Sequence, residues 1–275
     1  QSQAQAQAQA RQGDIRTRFF HSSDGVRLHV LERKPARPHG GSVIVLVPGW
    51  SMPASIWRAQ LQALGNHHVI ALDPRGQGRS DLPRKGDDIG RRADDLHELL
   101  AAHERVLLVG WSLGALEALH YVHRHGEEKL AGLVLVDSSV GEGPAGAPSR
   151  FPDELRRNRR KTLTDFMQAI FKTPQTPRDI RALVDGALRM PLEASLSLFP
   201  RDIPREHWRE VAHQFGKPLL YVVTPQFAEQ ARALRDHRPS TQVEVFEKAG
   251  HALFVDEAAR FNALLESSLK AIDGR

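Results

Sequence analysis

Short apolar runs alternate with helical patterns from residue 42 onward in this chain of 275 residues. Six such runs occur in order: SVIVLV, HVIAL, RVLLV, AGLVLV, PLLYVV and TQVEVF. Runs that are apolar throughout and separated by helices indicate parallel strands covered on both faces. Ahead of them, RTRFF and VRLHVLE flank HSSDG, whose Asp24–Gly25 pair is a hairpin signal. The sequence therefore predicts an α/β fold, with a mostly parallel sheet of eight strands and an antiparallel N-terminal edge.

The strand pattern is interrupted between the fourth and fifth of these runs. Four helices are predicted in the interruption, at roughly 152–172, 177–189, 191–199 and 204–215. An insertion of this kind is expected to lie over the carboxyl ends of the strands, where open α/β sheets bind ligands. We therefore expect a core formed by residues 15–140 and 216–275, and a helical cap, residues 141–215, between the sixth and seventh strands.

Composition narrows the possible functions. With 40% apolar residues the chain can bury a large core. The net charge of +5 comes from basic residues dispersed among acidic ones, which favours a solvated basic surface over a nucleic-acid site. The chain has 0 cysteines, so disulfides and thiolate metal sites are excluded. No apolar run approaches the roughly 18 residues that a membrane span requires.

The first residues, QSQAQAQAQARQG, form a polar low-complexity tract. Such a tract cannot bury enough apolar surface to fold, so residues 1–14 are expected to be a disordered tail. Because the tract begins with Gln, it could follow a removed signal peptide, and export is favoured over a cytoplasmic location.

The strongest chemical signal is RVLLVGWSLGALEALHYVHRHG. It places Gly110, Ser112 and Gly114 between an apolar strand and an amphipathic helix, as G-x-S-x-G requires. The glycines leave room for a strained turn that exposes the serine hydroxyl above the sheet. Ser112 is therefore the predicted nucleophile. The alternative is a helix N-terminus with a capping serine.

A serine hydroxyl needs a base to remove its proton. His251, in VEVFEKAGHALFVDEAARF, follows the last predicted strand on a loop at the same edge of the sheet and is the predicted base. The oxyanion formed on attack needs donors. We expect these donors to be the backbone N–H groups of Leu113 and Trp50, and the rings of Trp50 and Trp111 to wall the substrate pocket.

The segments LVPGWSMPASIW, ALDPRGQGRSD, GWSLGALEAL and FEKAGHALFVDEAARF together resemble the α/β-hydrolase superfamily, over nearly all of residues 25–272. Within it, GWSLG and KAGHA resemble the pimeloyl-carrier-protein methyl ester esterases and related small carboxylesterases. The resemblance implies a Ser–His–acid triad, acylation of Ser112 and hydrolysis by water, without a metal or an organic cofactor. Pro48–Gly49 stands where the family usually has His-Gly.

The family's usual acid, after the penultimate strand, is absent from VVTPQFAEQ. Asp137, one strand earlier in AGLVLVDSS, is the favoured replacement, because a minority of these hydrolases carry their acid there. Glu229 is a weaker candidate since it falls in a helical pattern, and Asp256 is better explained as the N-cap of the last helix. A further alternative is that the chain has no functional triad acid.

The predicted function is hydrolysis of carboxylic esters of small to medium size. Alternatives are a C–C bond hydrolase, a lactonase or a perhydrolase on the same serine, or a degenerate hydrolase that only binds a ligand. Five basic residues within 156–161 could attract an acyl-carrier protein, but a solvated helix face is favoured. HYVHRH offers His120 and His123 without a nearby carboxylate, so no metal is predicted.

Overall fold

A computed structural model describes residues 15–38, 40–84 and 87–274 of the chain. The predicted N-terminal tail lies outside these residues. Eight strands form one sheet in the order β1-β2-β4-β3-β5-β6-β7-β8. Their bounds are β1 Ile15–His21, β2 Arg27–Arg33, β3 Val43–Val47, β4 Val69–Asp73, β5 Val106–Trp111, β6 Leu130–Val136, β7 Leu219–Val223 and β8 Gln242–Val245. The predicted eight-stranded sheet is confirmed.

The direction of each strand also agrees with the sequence. β1 pairs with β2, and β2 with β4, in antiparallel fashion, whereas every pair from β4 to β8 is parallel. The turn between β1 and β2 contains Gly25 at φ 84°, a conformation that glycine adopts without a steric cost. Because β3 to β8 run the same way, their carboxyl ends meet at one edge.

Eleven α-helices and two short 3₁₀ segments connect and cover the strands within the described chain. The helices are α1 Arg58–Ala63, α2 Ile89–Leu100, α3 Leu113–His125, α4 Phe151–Arg157, α5 Arg159–Ala169, α6 Pro177–Leu188, α7 Leu192–Leu196, α8 Arg205–Gln214, α9 Ala228–His237, α10 Leu253–Asp256 and α11 Ala258–Asp273. The 3₁₀ segments are Ala54–Trp57 and Pro225–Phe227.

The hydrophobic core lies on both faces of the central strands. Every residue of β3, β4, β5, β6 and β7 is buried, as expected for strands with helices on both sides. On one face, Trp57 stacks on Phe254 with ring centroids 4.1 Å apart. This contact joins the segment after β3 to the segment after β8. The core therefore holds together the two loops in which Trp50 and His251 lie.

Between β6 and β7 the chain forms five helices, α4 to α8, where four were expected. The expected helix at 152–172 is two helices, because Asn158 adopts φ −153° and ψ 88° and interrupts it. The Asn158 side chain accepts a hydrogen bond from the Lys161 N–H and so caps α5. Asparagine competes for nearby backbone groups in this way, which makes it a better cap than an interior helix residue.

The segment from α4 to α8, called the cap below, forms hydrogen bonds with the core at buried points. Trp50 Nε1 donates a hydrogen bond to the Ser195 carbonyl oxygen at the end of α7, at 2.7 Å. The N–H of Ala252 donates to the Ile170 carbonyl oxygen at 2.9 Å. The cap is thus bonded to the loop after β3 and to the loop after β8. Among the described helices, none combines the length and the apolar composition that crossing a membrane requires.

Candidate active site

Ser112 lies in the turn between β5 and α3, with φ 55° and ψ −119°. A positive φ is uncommon for a residue with a side chain and marks a strained turn. The Ser112 backbone N–H donates to the Val136 carbonyl oxygen on β6 at 2.9 Å, which ties the turn to the sheet. The Ser112 side chain makes no capping hydrogen bond to α3, so the interpretation as a capping serine is wrong.

Two glycines make this turn possible. A Cβ on Gly110 would lie 2.3 Å from the Gly114 carbonyl oxygen, and a Cβ on Gly114 would lie 2.6 Å from the carbonyl oxygens of Val47 and Pro48. Both distances are far below van der Waals contact with backbone atoms. The G-x-S-x-G spacing is thus required for β5, α3 and the end of β3 to approach one another.

The structure brings His251 and Asp137 together. His251 Nδ1 lies 2.6 Å from Asp137 Oδ2, the distance of a short charge-assisted hydrogen bond. Asp137 follows β6 at φ 44° and is 0% exposed, whereas the His251 side chain is 22% exposed. The carboxylate is therefore isolated from water, and the imidazole can reach a substrate.

Asp137 is held by the turn that lacks the usual acid. Its Oδ1 accepts hydrogen bonds from the Thr224 N–H at 2.7 Å and from Thr224 Oγ1 at 2.9 Å. The turn after β7 thus supplies donors to the acid of the neighbouring strand. No local sequence pattern indicates this role for Thr224, since the contact joins residues 87 positions apart.

Tyr221, a buried residue of β7, lies next to the loop that contains Asp137 and Ser138. The Tyr221 hydroxyl donates a hydrogen bond to the Ser138 carbonyl oxygen. Burial raises the pKa of this hydroxyl well above its ordinary value, and the negative charges of Asp137 and Glu142 act in the same direction. Tyr221 therefore stays protonated and remains a donor to the loop that contains Asp137.

The other two candidate acids lie elsewhere. Glu229 is exposed, in the first turn of α9, as its helical pattern predicted. Asp256 is not the N-cap of the last helix, which is Glu257. Instead, Asp256 Oδ2 accepts from the Gly250 N–H at 2.7 Å. It therefore acts on the loop that carries His251 and not on the imidazole.

Asp256 also binds the cap. Its carboxylate accepts from the N–H groups of Lys172 and Thr173, at 2.7 and 3.0 Å, and from Thr173 Oγ1 at 2.6 Å. Burial alone would raise the pKa of Asp256, but the hydrogen bonds from Thr173, Lys172 and Gly250 outweigh burial and lower the pKa. Asp256 is thus an ionised link between the His251 loop and the connection from α5 to α6.

Gly250 is constrained by the same link. A Cβ at Gly250 would lie 2.6 Å from the Ile170 carbonyl oxygen and 3.1 Å from Asp256 Oδ2. In the sequence this glycine is recognisable only as part of a loop. The requirement comes from the cap, which the sequence does not place against a particular residue.

The loop after β3 lies against the nucleophile. A Cβ on Gly49 would lie 3.3 Å from the Ser112 Cβ, so this glycine brings the backbone next to the serine. The N–H of Trp50 follows it, and the N–H of Leu113 lies in the first turn of α3, where no intrahelical acceptor exists. These two groups remain the predicted oxyanion donors.

The two tryptophans have different surroundings. The Trp50 ring lies among aromatic side chains of the cap: it stacks on Phe199 at 5.2 Å and meets Phe151 and Phe166 edge-on at 5.4 and 5.9 Å. Trp111 Nε1 donates to the His251 carbonyl oxygen at 3.0 Å. Trp50 thus packs against the cap, whereas Trp111 fixes the backbone of the histidine loop. The role of the two rings as walls of the substrate pocket stays a prediction.

This fold and this arrangement define the class of the protein. The sequence matches the alpha/beta hydrolase family over residues 44–264, and the chain belongs to that family. It is similar to the pimeloyl-[acyl-carrier protein] methyl ester esterase of Vibrio cholerae, at 28% identity over 247 residues, with 80% of this chain and 91% of the relative covered.

Solved structures share the fold. An esterase from Exiguobacterium antarcticum superposes with a TM-score of 0.78 at 22% identity, covering 92% of this chain and 98% of the other. A bromoperoxidase from Bacillus anthracis gives a TM-score of 0.79 at 20% identity, covering 93% and 100%. Since one fold hosts differently named enzymes, the reaction has to be argued from the site.

Proposed function

We propose that the chain is a carboxylic ester hydrolase that works through Ser112, His251 and Asp137. The observation that carries the proposal is the 2.6 Å contact between His251 Nδ1 and a fully buried Asp137 carboxylate, on the same edge of the sheet as the Ser112 turn. A degenerate hydrolase that only binds ligands has no need for this pairing, which makes catalysis the better explanation.

In the proposed reaction, Ser112 Oγ attacks the ester carbonyl carbon while His251 Nε2 takes the hydroxyl proton. Asp137 holds the imidazole with Nδ1 protonated and stabilises the imidazolium that forms. The N–H groups of Leu113 and Trp50 stabilise the oxyanion. His251 then returns the proton to the leaving alkoxide, and the acyl-enzyme remains on Ser112. A water activated by His251 releases the acid.

The aromatic side chains around Trp50 favour ester substrates with apolar groups. The Trp50 ring contacts three phenylalanines of the cap, so the region between the cap and the loop after β3 is aromatic. This favours acyl or alkyl groups of small to medium size over charged ones.

An acyl-carrier protein is less well supported as a partner. Most of the basic side chains within 156–161 have partners inside the cap. Three of them form ion pairs, Arg156 with Glu193, Arg160 with Asp185 and Lys161 with Asp165. The Arg159 guanidinium donates a hydrogen bond to the Met190 carbonyl oxygen. This pairing favours a solvated helix face over a binding surface for an acidic protein.

A fluorophosphonate probe tests the serine directly. We expect the wild-type chain to be labelled and to hydrolyse p-nitrophenyl esters, and Ser112→Ala to lose both properties. Ser138→Ala is a matched control, because Ser138 is buried after β6 and its hydroxyl faces its own loop. Labelling that persists in Ser112→Ala would refute the proposal. Ligand-induced thermal stabilisation without any turnover would favour the binding protein instead.

A further inference from the structure

A second cluster of polar side chains lies away from Ser112, where the chain leaves the sheet and enters the cap. It consists of Glu142, which follows β6, His213 in the last turn of α8, and His237 at the end of α9. We propose that Glu142, His213 and His237 form a binding site for a divalent transition-metal ion, with Zn²⁺ as the ion that the donor set fits best.

The geometry of the three side chains suits one ion. His237 Nδ1 lies 3.2 Å from Glu142 Oε1, and His213 Nε2 contacts the same oxygen. One ligand atom from each residue lies within 4.8 Å of the other two. Ligands at about 2.1 Å around a tetrahedral zinc are separated by roughly 3.4 Å. An ion inserted among these atoms therefore requires only small movements of the side chains.

The charge of the site also favours a cation. Glu142 is 2% exposed, and within the described chain its carboxylate forms ion pairs only with the two histidines. Arg205 lies close, but its guanidinium donates to the carbonyl oxygens of Gly141 and Glu142 and not to the carboxylate. A buried carboxylate is costly unless it is paired or coordinates a metal.

Two helix dipoles add to this effect. α8 and α9 each have 10 residues, and both histidines lie in the last turn of their helix. The carboxyl end of a helix carries a partial negative charge that stabilises a nearby cation. The site thus combines one formal negative charge with two negative helix ends.

The donor set indicates which ion is bound. Two imidazoles and one carboxylate form a set that zinc takes in proteins, with a water in the fourth position. The partly exposed His237, whose side chain is 56% exposed, leaves that side open to solvent. The sequence-based expectation of no metal considered histidines close together in the chain, whereas His213 and His237 lie 71 and 95 residues from Glu142.

Occupancy would join three separate segments. Glu142 belongs to the connection that starts at Asp137, α8 is the last helix of the cap, and α9 follows the turn that contains Thr224. A bound ion would therefore stabilise the junction between the cap and the sheet.

The test measures Zn²⁺ binding to the full chain, without a polyhistidine tag, after treatment with a chelator. Isothermal titration calorimetry should give one site per chain, and Co²⁺ should give the visible absorption of a tetrahedral complex. Saturating Zn²⁺ should raise Tm by several degrees, since a ligand that binds only the folded state stabilises it. His237→Gln should weaken binding at least tenfold without impairing folding, because this side chain is largely exposed.

A matched control separates this site from other histidines. His120 Nδ1 lies 3.3 Å from His207 Nε2, and the His123 ring lies 4.6 Å from the His207 ring, so these three histidines are the main competitor among the described residues. Their ligand atoms do not form a group with the spacing that a metal ion requires. His120→Gln should leave Zn²⁺ affinity unchanged. Loss of binding in His120→Gln, or equal affinity in wild type and His237→Gln, would overturn the proposal. Neither result bears on ester hydrolysis, which the Ser112→Ala experiment tests separately.

Discussion

Asp137→Asn is expected to remove nearly all ester hydrolysis, because the surrounding hydrogen bonds dictate how the new amide is oriented. Asp137 Oδ1 accepts from the Thr224 backbone N–H, and Oδ2 lies against His251 Nδ1. An amide has one acceptor and one donor end. The backbone N–H of Thr224 can only donate, so the amide oxygen must face it, and the NH₂ group must face His251.

The size of the effect follows from this orientation. The reverse orientation would leave the buried Thr224 N–H without an acceptor, which costs about 1–3 kcal/mol. His251 can respond at much lower cost by moving its proton to Nε2 and accepting at Nδ1. That tautomer cannot take the Ser112 proton. An Asp→Asn change in a serine protease triad lowers kcat about 10⁴-fold by the same route, which is about 5 kcal/mol of activation free energy.

The assay is steady-state hydrolysis of a p-nitrophenyl ester, with kcat and KM measured separately. We expect kcat to fall about 10⁴-fold and KM to change little, since the substituted atom does not contact the substrate. Asn is nearly isosteric with Asp, so the melting temperature serves as a check that the fold is retained. Glu229→Gln is the matched control, because Glu229 is an exposed carboxylate on the adjacent helix.

Two outcomes would refute this reasoning. If Asp137→Asn kept more than a tenth of the wild-type kcat, the contact between His251 and Asp137 would have no catalytic role. If Glu229→Gln instead lost activity while Asp137→Asn kept it, the acid would lie on α9.

Three further predictions concern single side chains. Thr224→Val removes one of the two hydrogen bonds that Thr224 donates to Asp137 and should lower kcat by about tenfold, a far smaller loss than in Asp137→Asn; unchanged kinetics would show that the hydroxyl is dispensable. Gly110→Ala would place a Cβ 2.3 Å from the Gly114 carbonyl oxygen, so insoluble or inactive protein is expected in expression trials, and a fully active variant would contradict the close packing. Burial raises the pKa of Glu117 from 4.5 to about 7, so the folded chain retains a proton that the unfolded chain has released. The Glu117 contribution to the free energy of unfolding should therefore fall by about 3 kcal/mol as the pH rises from 4.5 through 7. In urea titrations the wild type should lose about that much stability relative to Glu117→Gln over this range; parallel pH profiles of the two proteins would count against it.

The sheet could be predicted from the sequence because its strands are buried on both faces. Such strands are apolar throughout, and β5 and β6 appear in the sequence as RVLLV and AGLVLV with helical patterns between them. The break at Asn158 could not be predicted with the same ease. A helix that stops and restarts within one residue leaves an almost continuous pattern, and only the backbone geometry of Asn158 reveals it.

Asp137 could be proposed as the triad acid because the turn after β7, where the acid usually lies, contains no carboxylate. The partners of Asp137 could not be predicted, since Thr224 reaches it through a contact between the ends of two strands. The N-cap interpretation of Asp256 is wrong for a related reason. A carboxylate before a helical pattern is typical of an N-cap, whereas the structure places it between Gly250 and the cap. Contacts of this kind depend on how the cap is positioned, and no local pattern encodes that position.

The Asp256 link also has a consequence for motion. Its carboxylate binds Gly250 on one side and Lys172 and Thr173 on the other, and the N–H of Ala252 binds Ile170 beside it. Lifting the cap at this corner would break all of these hydrogen bonds and would pull on the backbone next to His251. We therefore expect this corner to remain closed during turnover, so that it serves as a pivot. Any opening of the cap during substrate entry and product release would then be confined to helices away from this corner, while the catalytic base stays in place.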